Sequence, residues 1–416
     1  MEIVTERELE NRFGVAPWAE PRAVVSGNFA TPHRLVELFD AAVESYRIFV
    51  LNAQKGIPVR RGVIPETPFV GPGMRDLPNL DYLPVRLSLV PRLFDAARPP
   101  DLVLIHTSVV RDGKVSLGTE VNILPAAIDR ARARGGLVVA QINRHMPYTF
   151  GDGELDVGAI DLAIEVDEEL PSFSRPPVND VTSAVGLGVA TLVEDGATIQ
   201  VGIGGIPDAV LAALTEVRGL AVWSEAISDG VLALEHSGAF DARRPIVTTF
   251  IFGTSDLYSW VDRNPRVRVL RTEIVNDPST IAAHRMMCSI NTALEVDLYA
   301  QANASFVRGR IYSGFGGQPD FVVGALHSDG GHAVIALPSW HTKSNSSTVV
   351  ARIVEPATSF QHSAVITEQG RALLFGRSQR AQARLLIEEA AHPDARAGLW
   401  ESLGRSPSGA DGNAAG

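Results

Sequence analysis

The chain has 416 residues, 45% of them hydrophobic and 20% charged, which is the balance of a folded globular protein with room for two domains. Its formal net charge of −11 argues against nucleic acid or an anionic membrane surface as its main partner. The single cysteine, Cys288, excludes an internal disulfide, and its apolar neighbours predict a buried core thiol.

The N-terminal 14 residues are charged and polar, without the apolar segment of a secretory signal. No stretch of the chain reaches the roughly 18 to 20 consecutive apolar residues that a membrane helix needs. We therefore expect an intracellular, cytoplasmic protein.

Strand-like and helical patterns alternate through the first half of the chain. Short, fully apolar runs at 47–51, 102–106 and 136–142 predict strands that are buried on both faces. Helical spacing at 34–43 and 124–133 separates them. This alternation predicts an α/β fold with mostly parallel sheets.

A proline-rich segment at 168–180 interrupts this pattern and is the best linker candidate. The sequence thus predicts an N-terminal α/β domain over 1–175 and a catalytic α/β domain over 176–403. The last residues, 404–416, contain no large apolar side chain and predict a disordered tail.

The second predicted domain opens with a helix over 180–192, for which Asp180 or Thr182 is the expected N-cap. A strand at 197–201 then runs into a glycine-rich turn that ends at Pro207, where we expect the next helix to begin. Glycines allow close approach to the backbone, and free amides at a helix start attract anionic oxygen. The turn predicts a pocket for a phosphate, carboxylate or oxyanion, or else only a tight strand-to-helix connection.

Glu225 is the main catalytic candidate because it lies just past the carboxyl end of the next predicted strand, 220–223. Its mostly apolar sequence neighbours favour a partly desolvated, reactive carboxylate, with a helix-capping or salt-bridged acid as the alternative. The same spacing of strand, glycine turn, helix and acid is found in nicotinamide-binding enzymes. Here, however, Pro207 replaces the third glycine of that pattern and Gly205 is an extra glycine, which disfavours that function.

The segments 201–210 and 224–230 together resemble the acetyl-CoA hydrolase/transferase family. The resemblance continues through segments of both halves of the chain, namely 112–118, 143–152, 276–278, 290–298, 312–321, 335–339, 365–370 and 391–394. It covers most of the chain and is densest between residues 180 and 395.

The resemblance implies an enzyme with two α/β domains, an active site in the cleft between them, and a homodimer or higher homo-oligomer. Coenzyme A would be a substrate, with no permanently bound cofactor. It also implies that Glu225 is the covalent nucleophile. The backbone donors around the acyl carbonyl would come from two glycine turns, at Gly202, Gly204, Gly205, Gly314, Gly316 and Gly317. Gln318 and Asp320 follow the second turn and could orient CoA or the nucleophile, or only stabilise the turn.

Several alternatives stay open at this point. Transfer of CoA to a carboxylate such as acetate is favoured over net hydrolysis of acyl-CoA. The segment 340–347 departs from the family pattern, which leaves a non-catalytic acyl-CoA-binding protein possible. Glu295 is a rival nucleophile, and Glu368 is expected to cap a turn. The histidines show no metal-ligand spacing, so no metal is expected.

Overall fold

The computed structural model describes residues 1–172, 179–357 and 361–404. The centre of the predicted linker, 173–178, and nearly all of the predicted tail, 405–416, lie outside the described residues.

The first half of the chain builds a parallel sheet with the strand order β1-β11-β8-β6-β2-β3-β4-β5. Strands β7 and β10 pair separately as an antiparallel ribbon. The strands up to residue 172 are β1 (Glu2–Ile3), β2 (Arg22–Val25), β3 (Tyr46–Val50), β4 (Val63–Thr67), β5 (Asp81–Tyr82), β6 (Leu102–Thr107), β7 (Lys114–Ser116), β8 (Leu137–Asn143), β9 (Phe150–Gly151), β10 (Glu154–Asp156) and β11 (Leu162–Val166).

The second half builds a sheet with the order β28-β27-β23-β18-β12-β13-β15-β17-β9, parallel except for the terminal pair β27 and β28. Its strands and those of the smaller ribbons are β12 (Thr198–Val201), β13 (Ala221–Trp223), β14 (Ala226–Ile227), β15 (Ile246–Thr248), β16 (Phe250–Ile251), β17 (Val267–Val269), β18 (Met287–Asn291), β19 (Glu295–Asp297), β20 (Ala302–Asn303), β21 (Phe306–Val307), β22 (Arg310–Ile311), β23 (His332–Ala336), β24 (Trp340–His341), β25 (Ser346–Ser347), β26 (Val349–Val350), β27 (Ala364–Thr367) and β28 (Gly370–Leu373).

Helices form many of the connections between parallel strands. They are α1 (Glu6–Gly14), α2 (His33–Ala42), α3 (Val90–Leu93), α4 (Leu124–Ala133), α5 (Asp180–Ala190), α6 (Gly205–Ala213), α7 (Asp229–Ser237), α8 (Ser255–Val261), α9 (Thr272–Val275), α10 (Pro278–Ala282), α11 (Gln318–His327), α12 (Gln379–Leu385) and α13 (Pro393–Ser402). Short 3-10 turns lie at Asn28–Ala30, Leu87–Leu89 and Val157–Ala159, and a π-helical turn lies at Leu386–Ala390.

The predicted α/β fold with mostly parallel sheets is confirmed, and the apolar runs of the first half form strands within one or two residues of their predicted bounds. Two local predictions are wrong. The N-cap of α5 is Asn179, whose side chain accepts from the Thr182 backbone N–H in a capping box. Helix α6 begins at Gly205 rather than Pro207, because the chain turns into helical geometry directly after Gly204.

The sheets follow the predicted division of the chain with one exception. Strand β9 comes from the first half but extends the second sheet by pairing with β17. The largest apolar cluster also contains side chains from both halves, such as Val24 and Val201, so the two sheets share buried packing. The predicted boundary near residue 176 stays a prediction.

Cys288 is 1% exposed within β18, which confirms the buried thiol. Among the described helices, none is long and apolar enough to cross a membrane.

Candidate active site

A cavity of about 360 Å³ lies between the two halves of the chain, where strands of both sheets end. From the second sheet, Gly202 directly follows β12 and Glu225 follows β13 by two residues. From the first sheet, Asn28 follows β2 and Asn52 follows β3. In each sheet these two strands are neighbours, so both pairs of loops lie at carboxyl-terminal sheet edges. This is the edge at which parallel α/β sheets bind ligands.

Several hydrogen bonds hold the backbone around Glu225 in place. Its carbonyl oxygen accepts hydrogen bonds from the backbone N–H groups of Thr249 and Phe250, at 3.0 and 3.2 Å, and from the Thr249 hydroxyl at 2.8 Å. The preceding Ser224 donates its backbone N–H to Val247 at 3.1 Å. The loop that carries Glu225 is therefore fixed against the neighbouring strands, which is what a preorganised side chain requires.

The Glu225 carboxyl group contacts two hydrogen-bond donors. Asn276 Nδ2 donates to Glu225 Oε2 at 3.1 Å, and the Gly317 backbone N–H also donates to this carboxylate. Asn276 is fully buried between α9 and α10, and Asp277 caps the start of α10 through the N–H groups of Ser279 and Thr280. Asn276 is thus held at the junction of two helices, and Gly317 lies at the start of α11.

Burial raises the pKa of the Glu225 carboxyl to about 7, and the nearby Asp320 carboxylate acts in the same direction. The hydrogen bonds from Asn276 and Gly317 oppose this shift because they stabilise the ionised form. A carboxylate with a pKa this high is a stronger nucleophile and base than an ordinary surface glutamate.

The second glycine turn packs closely against the first half of the chain. Gly314 pairs with Phe69 in an antiparallel bridge, and the Gly316 carbonyl accepts the Leu87 N–H at 2.9 Å. A Cβ at Gly317 would overlap Glu225 Oε2 and Asn276 Nδ2, so a larger residue there would displace the carboxylate from its present position. Gly314, Gly316 and Gly317 all line the cavity.

The first glycine turn contributes less to the cavity than its sequence suggested. Gly202 lines the cavity, but Gly204 and Gly205 do not. Gly204 has a φ of 119° and is the N-cap of α6, while Gly205 is the first residue of that helix. These two glycines therefore lie in the strand-to-helix connection, and their role as donors to the acyl group or CoA stays a prediction.

The two polar residues after the second turn lie in different places. Gln318 lines the cavity at the start of α11. Asp320 is fully buried and accepts hydrogen bonds from the backbone N–H and the hydroxyl of Ser88, at 3.0 and 2.7 Å. Asp320 thus connects α11 to the first half of the chain, and burial raises its pKa to about 6.

The side chains of the other acidic candidates form hydrogen bonds outside the cavity lining. Glu295 lies in β19, where its Oε1 accepts from Asn303 Nδ2 at 3.0 Å. Glu368 accepts hydrogen bonds from the backbone N–H and hydroxyl of Ser339. The divergent segment 340–347 forms a hairpin of β24 and β25. Among the described residues, no cluster of three His, Cys, Asp or Glu side chains is placed to hold a metal ion.

The sequence-based candidates did not include Asn276 or a hydrogen-bonded group formed by Asn28, Asn52 and Glu120. Asn276 lies in a segment that carried the family resemblance, but its spacing gave no sign of contact with Glu225. Asn28 and Asn52 each follow a buried strand, which is the signal that could have identified them. Glu120 is an isolated acid among small and apolar residues, and no pattern assigns such a residue to a site.

Comparison with known protein families gives matches over most of the chain. Residues 69–173 match the acetyl-CoA hydrolase/transferase N-terminal domain, and residues 253–403 match the acetyl-CoA hydrolase/transferase C-terminal domain. The chain is 38% identical over 350 residues to the 4-hydroxybutyrate coenzyme A transferase of Clostridium kluyveri, with 80% of each chain covered.

Two solved structures superpose on this chain over nearly its whole length. RipA from Yersinia pestis superposes with a TM-score of 0.89 at 26% identity, covering 97% of both chains. The 4-hydroxybutyrate CoA-transferase from Porphyromonas gingivalis superposes with a TM-score of 0.81 at 28% identity, again covering 97% of both chains.

Proposed function

Because the chain belongs to the acetyl-CoA hydrolase/transferase family, we propose that it moves CoA from a short-chain acyl-CoA to a carboxylate acceptor such as acetate, through covalent intermediates on Glu225. The observation that carries this proposal is the position of Glu225. It is a partly buried carboxylate with a raised pKa, held by Asn276 and Gly317 in a cavity that both halves of the chain line.

The covalent bonds that form and break in the proposed reaction involve only this carboxylate and the two substrates. A Glu225 carboxylate oxygen attacks the thioester carbonyl carbon, the carbon–sulfur bond breaks, and an acyl-glutamyl anhydride and CoA thiolate result. The thiolate attacks the glutamyl carbonyl carbon, which gives a glutamyl-CoA thioester and releases the first carboxylate. An acceptor carboxylate then reverses these steps and leaves as the new acyl-CoA. Covalent catalysis of this kind divides one difficult exchange into easier steps.

Each attack creates a tetrahedral oxyanion that needs preorganised donors. The Gly317 N–H supports this role because it contacts Glu225 and lies at the start of α11, where the helix dipole favours negative charge. Gly202, Gly314 and Gly316 supply further backbone to the cavity lining. Gln318 also lines the cavity and is proposed to contact CoA.

The competing function is net hydrolysis of acyl-CoA by the same glutamate. The two reactions are separated by measuring thiol release and acyl-CoA products from butyryl-CoA, with and without acetate. We expect acetate to increase butyryl-CoA consumption and to yield acetyl-CoA. Equal thiol release with and without acetate, and no acetyl-CoA, would identify a hydrolase instead.

The pH dependence of the reaction should report the ionisation of Glu225. Because the attacking group is the carboxylate and its pKa is raised to about 7, activity should be low at pH 5.5, rise through pH 7 and level off near pH 8. The measurement is kcat/KM for butyryl-CoA across this range at a saturating concentration of acetate, which is mostly ionised at each of these pH values. A profile that is flat between pH 5.5 and 8 would contradict this role of the carboxyl.

A further inference from the structure

A second buried acid, Glu120, lies next to the segment that carries Glu225. Glu120 forms an isolated antiparallel bridge with Phe250, whose N–H donates to the Glu225 carbonyl at 3.2 Å. The two carboxyl groups are close enough that the charge of Glu225 contributes to raising the pKa of Glu120. Glu120 is 1% exposed, so its carboxyl group is removed from bulk solvent.

The surroundings of Glu120 differ from those of a structural buried acid in the same chain. Glu66 is fully buried too, but Arg22, Arg47 and Arg98 form ion pairs with it at 2.7, 3.1 and 2.6 Å. Burial opposes ionisation of Glu66, yet these cations hold its pKa below the usual value. A buried acid without such cations stays costly to ionise, and it is typical of functional sites.

Within the described part of the chain, the Glu120 carboxyl group has one hydrogen-bond partner, Asn28, which lines the cavity. Asn28 Nδ2 donates to Glu120 Oε2 at 2.5 Å, whereas Glu120 Oε1 has no partner among the described residues. Burial raises the pKa of Glu120 to about 8, so the group is mainly neutral at pH 7. The carboxyl therefore restrains Asn28 without adding a full negative charge near Glu225.

Asn28 is restrained from its other side as well. Asn52 Nδ2 donates to Asn28 Oδ1 at 2.7 Å, and Asn52 also lines the cavity. Both asparagines have left-handed backbone conformations, with φ of 48° and 50°, and a Cβ at Gly27 would overlap the Leu51 carbonyl oxygen. Backbone of this kind costs free energy and is concentrated at binding and catalytic sites. With Oδ1 and one N–H engaged, the second N–H of the Asn28 carboxamide is left for a ligand in the cavity.

We propose that Asn28 is a substrate-binding residue that donates this N–H to an oxygen of the acyl group, and that Glu120 is its positioning residue. The oxygen is the thioester carbonyl in the acyl-CoA and a carboxylate oxygen in the free acid, so one donor serves both. This inference rests on the proposed function, because it assigns the donor to the reaction at Glu225. A neutral Glu120 suits this role because its carbonyl oxygen can accept the hydrogen bond from Asn28 without repulsion between two negative charges, its own and that of Glu225.

The test compares variants by steady-state kinetics with butyryl-CoA and acetate, together with the CoA dissociation constant and the melting temperature. Asn28→Gly keeps the left-handed backbone and removes the carboxamide, and we expect kcat/KM to fall about tenfold or more, as the loss of one buried hydrogen bond predicts. Glu120→Leu should give a similar loss, whereas Glu120→Gln should recover most of the activity because its amide oxygen can still accept from Asn28. CoA affinity should stay within about twofold of the wild-type value in all three.

The double variant Asn28→Gly/Glu120→Leu decides whether Glu120 acts through Asn28. If it does, the double variant is no slower than Asn28→Gly alone, because the losses of coupled residues do not add. Should Glu120→Leu not fold, Asn52→Gly removes the other restraint on Asn28 and should lower kcat/KM as well. Glu154→Gln is the matched control: it alters a carboxyl that also accepts a side-chain hydrogen bond, from the Tyr148 hydroxyl, but outside the cavity, and it should keep wild-type activity.

Each contrary result has a separate meaning. Wild-type protein that transfers no CoA would overturn the proposed function and this inference together. Wild-type transfer with unchanged activity in Asn28→Gly and Glu120→Leu would overturn the inference alone. Losses that multiply in the double variant, or a Glu120→Gln variant as slow as Glu120→Leu, would overturn the positioning role of Glu120.

Discussion

Replacing Glu225 by glutamine should lower CoA transfer by at least about a thousandfold, because the amide cannot form the acyl-glutamyl anhydride. Glutamine is the more specific substitution because it removes the nucleophilic carboxylate, while its amide oxygen can still accept hydrogen bonds from Asn276 Nδ2 and the Gly317 N–H. Glu225→Ala should be equally inactive while the protein remains folded. The measurement is acetyl-CoA formation from butyryl-CoA and acetate, with the circular dichroism spectrum and melting temperature recorded for each variant.

The covalent intermediate can also be located directly. Protein incubated with acyl-CoA and then treated with borohydride should carry a reduced glutamyl thioester, which mass spectrometry assigns to a peptide. We expect modification at Glu225 in the wild-type protein and none in Glu225→Gln. Modification at Glu295 would move the nucleophile to the rival residue, and full activity in Glu225→Ala would refute the proposed mechanism.

Much of the fold follows from short-range patterns in the sequence. The fully apolar runs at β6 and β8 had to be interior parallel strands, because both of their faces are covered in an α/β sheet. The position of Glu225 after β13 was also predictable, because hydrophobicity and the positions of glycines indicate where a strand ends. Periodicity indicates where a strand stops, and the topology of parallel sheets then places that stop at the ligand-binding edge.

The partners of Glu225 were not predictable from such patterns. Asn276 and Gly317 reach Glu225 across 51 and 92 residues of sequence, and no local spacing encodes contacts of that range. The placement of β9 at the edge of the second sheet is a similar case, since two residues carry no strand signal of their own. Gly204 and Gly205 are a third case, because a glycine-rich turn looks the same in sequence whether it binds a ligand or only begins a helix.

Replacing Gly317 by alanine should lower kcat by about a hundredfold or more, although it adds only one methyl group. The added Cβ would overlap Glu225 Oε2 and Asn276 Nδ2, so the carboxylate must leave its position beside the Gly317 N–H. Loss of one preorganised donor costs about 2.7 to 4 kcal/mol of transition-state stabilisation. Displacement of the nucleophile adds to that loss.

The position of the added methyl group, rather than the loss of a glycine as such, should determine whether kcat falls. Gly398→Ala is the matched control, since Gly398 lies exposed in α13 and a Cβ there meets no atom within 4 Å. It should leave kcat unchanged and hold or slightly raise the melting temperature, because alanine is the better helix former. A Gly317→Ala variant with wild-type kcat would mean that Glu225 can react without contact with the second glycine turn. The oxyanion would then have to be stabilised elsewhere in the cavity, with the Gly202 turn as the next candidate to test.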